Sequence, residues 1–174
     1  SEWAAEKVRD VRSISNQITI GSRWDLASSN LVNLALDRGW CKSRQDFDFS
    51  RCYSDFLYTT FGAAKHRRVC TTRLLESRRG SITVADGMSF LRAHGLSEDP
   101  GWRPDPAIAG AEVCMHAGFG PIRVSQSTGS LVAHLTPSQP TYWVTATSAP
   151  CTGIFKPLWM DTDRPWSEPS PRGV

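Results

Sequence analysis

A chain of 174 residues and 19.3 kDa has the size of one domain and argues against two full ones. Hydrophobic residues at 40%, charged residues at 21% and a mean hydropathy of −0.34 are globular proportions, which excludes a disordered tail. A net charge of only +3 falls short of a nucleic-acid footprint, and no apolar run approaches the roughly 18 residues of a membrane span, so neither partner is expected.

The first twenty residues predict two short strands, with Trp3 and Ala5, then Ile14, Ile18 and Ile20, on alternate positions around the polar Arg9, Asp10 and Arg12. Asn16 falls on the face of Ile14, Ile18 and Ile20, where a carboxamide is either a satisfied core group or a functional one. Asp25 is placed to cap a helix carrying Leu26, Leu31, Leu34 and Ala35, stopped by Gly39. Residues 43–61, with Phe47, Phe49, Tyr53, Phe56, Tyr58 and Phe61, lack periodicity and read as an irregular connection. A basic helix is predicted over 63–77, with Val69, Leu74 and Leu75 inward and Lys65, Arg67, Arg68 and Arg73 forming a solvated face.

Thr83-Val84-Ala85-Asp86 has capping-box spacing and opens a helix through Val84, Met88 and Leu91 toward Gly95. Residues 97–110, with Pro100, Pro104 and Pro106, read as a surface loop between layers. Strands follow at 113–117, 125–136 and 141–148, the last two forming a hairpin through Pro137-Ser138-Gln139-Pro140. Residues 161–174 are expected to be a loosely ordered tail after a domain occupying 1–160. Strands, helices and strands in that order give an α+β class.

Chemistry is sparse. Five cysteines at irregular spacing argue against a disulfide framework and for a reducing, cytoplasmic compartment. Cys114 and His116, two apart on a strand, point the same way and suit a metal or a thiolate-imidazole pair. A zinc site needs four ligands, no second Cys or His cluster in sequence completes the set, and His66 and His94 read as surface residues. No metal and no cofactor is therefore assigned. Nucleotide-loop, hydrolase-elbow and zincin signatures are missing. The polar run Ser125-Gln126-Ser127-Thr128-Gly129-Ser130 offers hydrogen-bonding groups for a substrate, or ordinary strand residues.

Five blocks in order, Trp3-Ala4-Ala5-Glu6, Arg12-Ser13-Ile14-Ser15-Asn16-Gln17, Cys114-Met115-His116-Ala117-Gly118, Ser125 to Ser130 and Ile154-Phe155-Lys156-Pro157, resemble the secernins and the related dipeptidase family of cysteine peptidases. The resemblance implies an N-terminal-nucleophile hydrolase fold, two antiparallel sheets stacked between helical layers in an αββα sandwich. It also implies a nucleophilic Cys at the start of the mature enzyme, whose own α-amino group is the general base. That Cys belongs before Trp3, so the chain is read as a middle to C-terminal portion, inactive alone, with Ser1 an arbitrary start rather than a nucleophile. By position in the pattern Asn16 is the oxyanion donor, and Ser125, Gln126 and Thr128 line the substrate pocket. Cys114 and His116 receive no catalytic role. The expected partner is a peptide or other amide substrate, with homo-oligomers favoured by open sheet edges. The alternative is a non-catalytic secernin-like interaction protein with a role in secretion, docking a partner on the basic helix around Arg67 to Arg73.

Overall fold

The computed structural model describes residues 2–54, 64–95, 112–118, 125–145 and 147–160. The described residues are α+β: helices with two small antiparallel sheets. No described helix is long and apolar enough to cross a membrane.

The chain opens with β1 (Ala4–Ala5), which pairs with β2 (Leu26–Ala27) in the register Ala4↔Ala27 and Ala5↔Leu26. Leu26 was expected in a helix capped by Asp25. The Asp25 carboxylate instead accepts the Lys7 amide at 2.7 Å, and the Asp25 amide donates to the Ala5 carbonyl at 2.9 Å, which turns Leu26 into a ladder. The helix α1 (Leu31–Asp37) therefore starts later, and it ends where Gly39 adopts φ +70° and Trp40 donates back to the Ala35 carbonyl.

The second expected strand does not form. Ile14 is 86% exposed, and the segment is tied to a helix through side chains, Ser15 donating to the Ala64 carbonyl and Ser13 bonding the Thr71 hydroxyl. The shared apolar face proposed for Asn16 is thus absent, and Asn16 is exposed.

Within the aromatic connection a short helix was missed, α2 (Phe49–Tyr53), capped by the Asp48 carboxylate accepting the Arg51 amide at 2.9 Å. It closes the first core, where Leu31, Ala35, Cys41, Phe47 and Cys52 are buried. Around them Trp24 and Phe47 meet edge-on at 5.4 Å, as do Trp40 and Tyr53 at 5.1 Å. Phe56, Tyr58 and Phe61 lie outside the described residues.

The basic helix is α3 (Ala64–Ser77), buried at Ala64 and Cys70. Its cationic face is only partly free: Arg67 and Arg68 are half-buried and donate to the Asn16 and Gln17 carboxamides at 2.8 and 2.9 Å. Beyond its end Arg78 and Arg79 pair with Asp86 and Asp10. The next helix, α4 (Val84–Leu91), carries the expected reciprocal capping box between Thr83 and Asp86.

The second sheet has the order β3-β4-β5. The hairpin forms as expected, β3 (Ser130–His134) against β4 (Thr141–Thr145), from Ser130↔Thr145 to His134↔Thr141. An unanticipated β5 (Lys156–Leu158) adds to β4, its Pro157 lying on an edge strand that needs no amide on its outer side. Helix α4 packs on β3 at Gly87, where a Cβ would come 3.2 Å from Val132 Cγ1. Residues 113–117 and 125–129, expected as strand, form no ladder: the chain bends at Val113 and Cys114, and Ser127 joins the two segments by isolated bonds. The proposed loop at 97–110 and tail at 161–174 lie outside the described residues.

Candidate active site and a cysteine-histidine cluster

Among the described residues, two separate places concentrate functional groups. The first is a polar cleft of about 530 Å³ between the N-terminal segment and α3, lined by Glu6, Arg12, Ser13, Gln17, Arg68 and Glu76 among others. Arg12 reaches both Glu6 and Thr19, at 2.8 and 3.0 Å, and Arg68 is held by Gln17. The cleft thus offers two guanidinium groups and two carboxylates.

Asn16, the expected oxyanion donor, precedes Gln17 in the chain but does not itself line the cleft. Arg67 has only donors, so it fixes Oδ1 toward α3 and leaves the Nδ2 hydrogens as the groups Asn16 offers elsewhere. Ser125, Gln126 and Thr128 are exposed on the approach to β3, and none of them lines the cleft. The structural work there is done by Ser127, which was given no role of its own. Its amide donates to the Met115 carbonyl at 2.9 Å, its hydroxyl accepts the Met115 amide at 3.0 Å, and its carbonyl accepts the Ala149 amide at 2.7 Å.

That clasp builds the second place. Cys114 and His116 do not sit on the strand that their spacing suggested, because the chain bends at Cys114, yet their side chains lie 3.4 Å apart. His94 enters from the turn after α4, brought alongside when the Cys114 amide donates to the Ala93 carbonyl at 3.0 Å. Cys151 comes from the turn after β4, where Ala149 adopts φ +58°. Arg92 secures this turn, donating to the Pro150 and Gly153 carbonyls at 3.0 and 2.9 Å and lying over the Phe155 ring.

One ligand atom from each of His94, Cys114, His116 and Cys151 falls within 4.8 Å of every other. His116 Nε2 lies 3.1 Å from His94 Nε2, 3.4 Å from Cys114 Sγ and 3.3 Å from Cys151 Sγ. Cys114 is fully buried and the other three half-buried. Burial pushes the Cys114 thiol up to about 12 and lowers the His94 pKa, the latter helped by the neighbouring His116. His94, read as a surface residue, and Cys151, given no role, are the two members that sequence spacing did not supply. Their only signal is the turn chemistry beside them, Gly95 at φ +124° and Pro150 with Gly153. All five cysteines are unbridged.

No protein-family model and no solved structure matches the chain.

Proposed function

We propose that this chain belongs to a secernin-like cysteine amidohydrolase, a dipeptidase whose nucleophile is an N-terminal Cys. The observation that carries this reading is that the family-like block from Arg12 to Gln17 itself walls the polar cleft, through Arg12, Ser13 and Gln17. A dipeptide is a zwitterion. The guanidinium groups of Arg12 and Arg68 suit its carboxylate in bidentate fashion, and Glu6 and Glu76 suit its ammonium group.

In this reading the α-amino group of the nucleophilic Cys takes the thiol proton and the sulfur attacks the amide carbonyl carbon. Asn16 donates from Nδ2 to the oxyanion while Arg67 holds its other end. Collapse expels the amine, which receives the proton, and water hydrolyses the thioester. Ser125, Gln126 and Thr128 lie outside this cleft and enter the reading only as the substrate wall that the family resemblance implies. Of the other family-like blocks, Trp3 to Glu6 reaches the cleft through Glu6, Cys114 to Gly118 is bonded to Ser127, and Phe155 is buried under Arg92. The described helices and sheets are parts of an αββα sandwich, in which the edges β3 and β5 pair with further strands or a second copy. A cytoplasmic setting keeps the five thiols reduced.

The test is made on the full-length gene product. Mass spectrometry is expected to find a mature N-terminal Cys, and dipeptide hydrolysis is expected to vanish when that Cys becomes Ala. A full-length protein with no such Cys, or one that leaves a dipeptide panel intact, refutes the reading.

A further inference from the structure

We propose that His94, Cys114, His116 and Cys151 form a closed Cys2His2 site that binds one zinc ion and staples the turn after α4, the 112–118 segment and the turn after β4. This inference is independent of the amidohydrolase reading. A zinc tetrahedron with Zn–N of roughly 2.0–2.1 Å and Zn–S of roughly 2.3 Å has N–N edges of roughly 3.3 Å and N–S edges of roughly 3.5 Å. The corresponding separations here are 3.1 Å for the two imidazole nitrogens and 3.3 and 3.4 Å for His116 Nε2 to the two sulfurs. The three edges from His116 thus match one coordination shell, and the remaining three, among donors from three separate segments, lie within 4.8 Å.

Hydrogen bonding accounts poorly for the same arrangement. A ring nitrogen of neutral imidazole carries either one hydrogen or one lone pair, yet His116 Nε2 faces three groups at once. A cation at the common centre uses all four lone pairs together. Two thiolates and two imidazoles are a borderline-soft set suited to zinc, and four protein ligands leave no open position, which marks the site as structural rather than hydrolytic. Binding takes up Zn²⁺ and releases the two thiol protons, leaving a neutral Zn(S)₂(N)₂ unit that suits a half-buried position. The ligand segments are held from outside the shell, through the Cys114 amide on Ala93, the Ser127 clasp and the Arg92 clamp.

The experiment uses the whole chain purified under reducing conditions. Elemental analysis is expected to give one zinc per chain, and cobalt(II) reconstitution to give the ligand-field bands of a tetrahedral ion with thiolate-to-cobalt charge transfer. Cys114→Ser, Cys151→Ser and His116→Ala should each lower cobalt affinity by at least about 10-fold, while Cys41→Ser, in the other core, should retain it. Should the ligand variants fail to fold, competition on the wild-type chain decides: a chromophoric chelator must withdraw one zinc with loss of thermal stability, and zinc must restore it. Failure of the wild-type chain to bind cobalt with thiolate charge transfer, a Cys114–Cys151 disulfide that persists in protein purified under reducing conditions, or metal retained by the Cys114→Ser/Cys151→Ser double variant would each overturn the proposal.

Discussion

Arg92 binds the carbonyl of Pro150 through Nε at 3.0 Å, joining the end of α4 to a turn 58 positions away. Its NH2 group donates to the Gly153 carbonyl of the same turn at 2.9 Å, and its Cζ lies 4.9 Å from the Phe155 centroid. Hydrogen bonds from a charged donor contribute about 1.5–3 kcal/mol, and Pro150 is fully buried, so its carbonyl loses a partner it cannot replace with water. Arg92→Ala should therefore destabilise the chain by about 2–3 kcal/mol, a fall in Tm of about 5–10 °C for this size. Arg92→Lys, keeping the charge but not the fork, should recover less than half of it. A Tm within 2 °C of wild type, on that roughly 2–4 °C per kcal/mol scale, would show that the turn holds without the clamp.

Acid should weaken the fold through its caps. The Asp86 carboxyl is held below the usual carboxylate range, first by the Thr83 hydroxyl and then by the Thr83 amide; Ser50 and the Arg51 amide act likewise on Asp48. A carboxyl depressed in the folded state contributes stability fully above its unfolded pKa, near 3.9, and loses it as the pH falls through the lower folded value. Stability should thus be flat in these groups near neutrality and decline below about pH 4. Asp86→Asn should reduce the acid-side slope in pH-dependent melts, and Thr83→Ala should cost about 1 kcal/mol at neutral pH. An unchanged slope in Asp86→Asn means that this cap does not carry the acid sensitivity.

The features legible in the sequence are local ones. The Thr83 and Asp86 box, the period of α3 and the alternation on either side of Pro137 and Pro140 are each decided within a few residues, and each appears in the structure. Asp25 misled because a carboxylate before an apolar run caps a helix or an amide equally well, and only the return of Lys7 decides which. Arg67 and Arg68 read as solvated because their partners, Asn16 and Gln17, lie 51 positions upstream. The cysteine-histidine cluster was half visible. Cys114 and His116 share a segment, but His94 and Cys151 stand 22 and 35 positions from His116, beyond any spacing rule.

Gly153 supplies a packing test of the turn that carries Cys151. A Cβ there would press on Thr147 Oγ1 well inside van der Waals contact, with Thr145 Cβ 3.7 Å away. Gly153→Ala should cost about 1–3 kcal/mol through that overlap. Because the clash is with one hydroxyl, Thr147→Ala placed in the same chain should restore most of the loss, giving a coupling energy of about 1 kcal/mol or more in a double-mutant cycle. Additive effects would locate the strain in the backbone instead.

Asn16 separates a catalytic role from a structural one. The residue is exposed and its one described bond goes to Arg67, so Asn16→Ala should change stability by no more than about 0.5 kcal/mol. If its Nδ2 hydrogens meet the oxyanion, the same substitution in the full-length enzyme should lower kcat by about 10²–10³-fold with KM nearly unchanged, since the bond is made in the transition state. Arg67→Ala frees the carboxamide to rotate and should produce a smaller fall in kcat, again without a matching loss of Tm. Asn16→Asp keeps the shape, replaces the donor by an anion that pairs with Arg67, and should be as inactive as Asn16→Ala while folding at least as well. An active Asn16→Asp enzyme would remove Asn16 from the oxyanion site and leave it as the anchor between the N-terminal segment and α3.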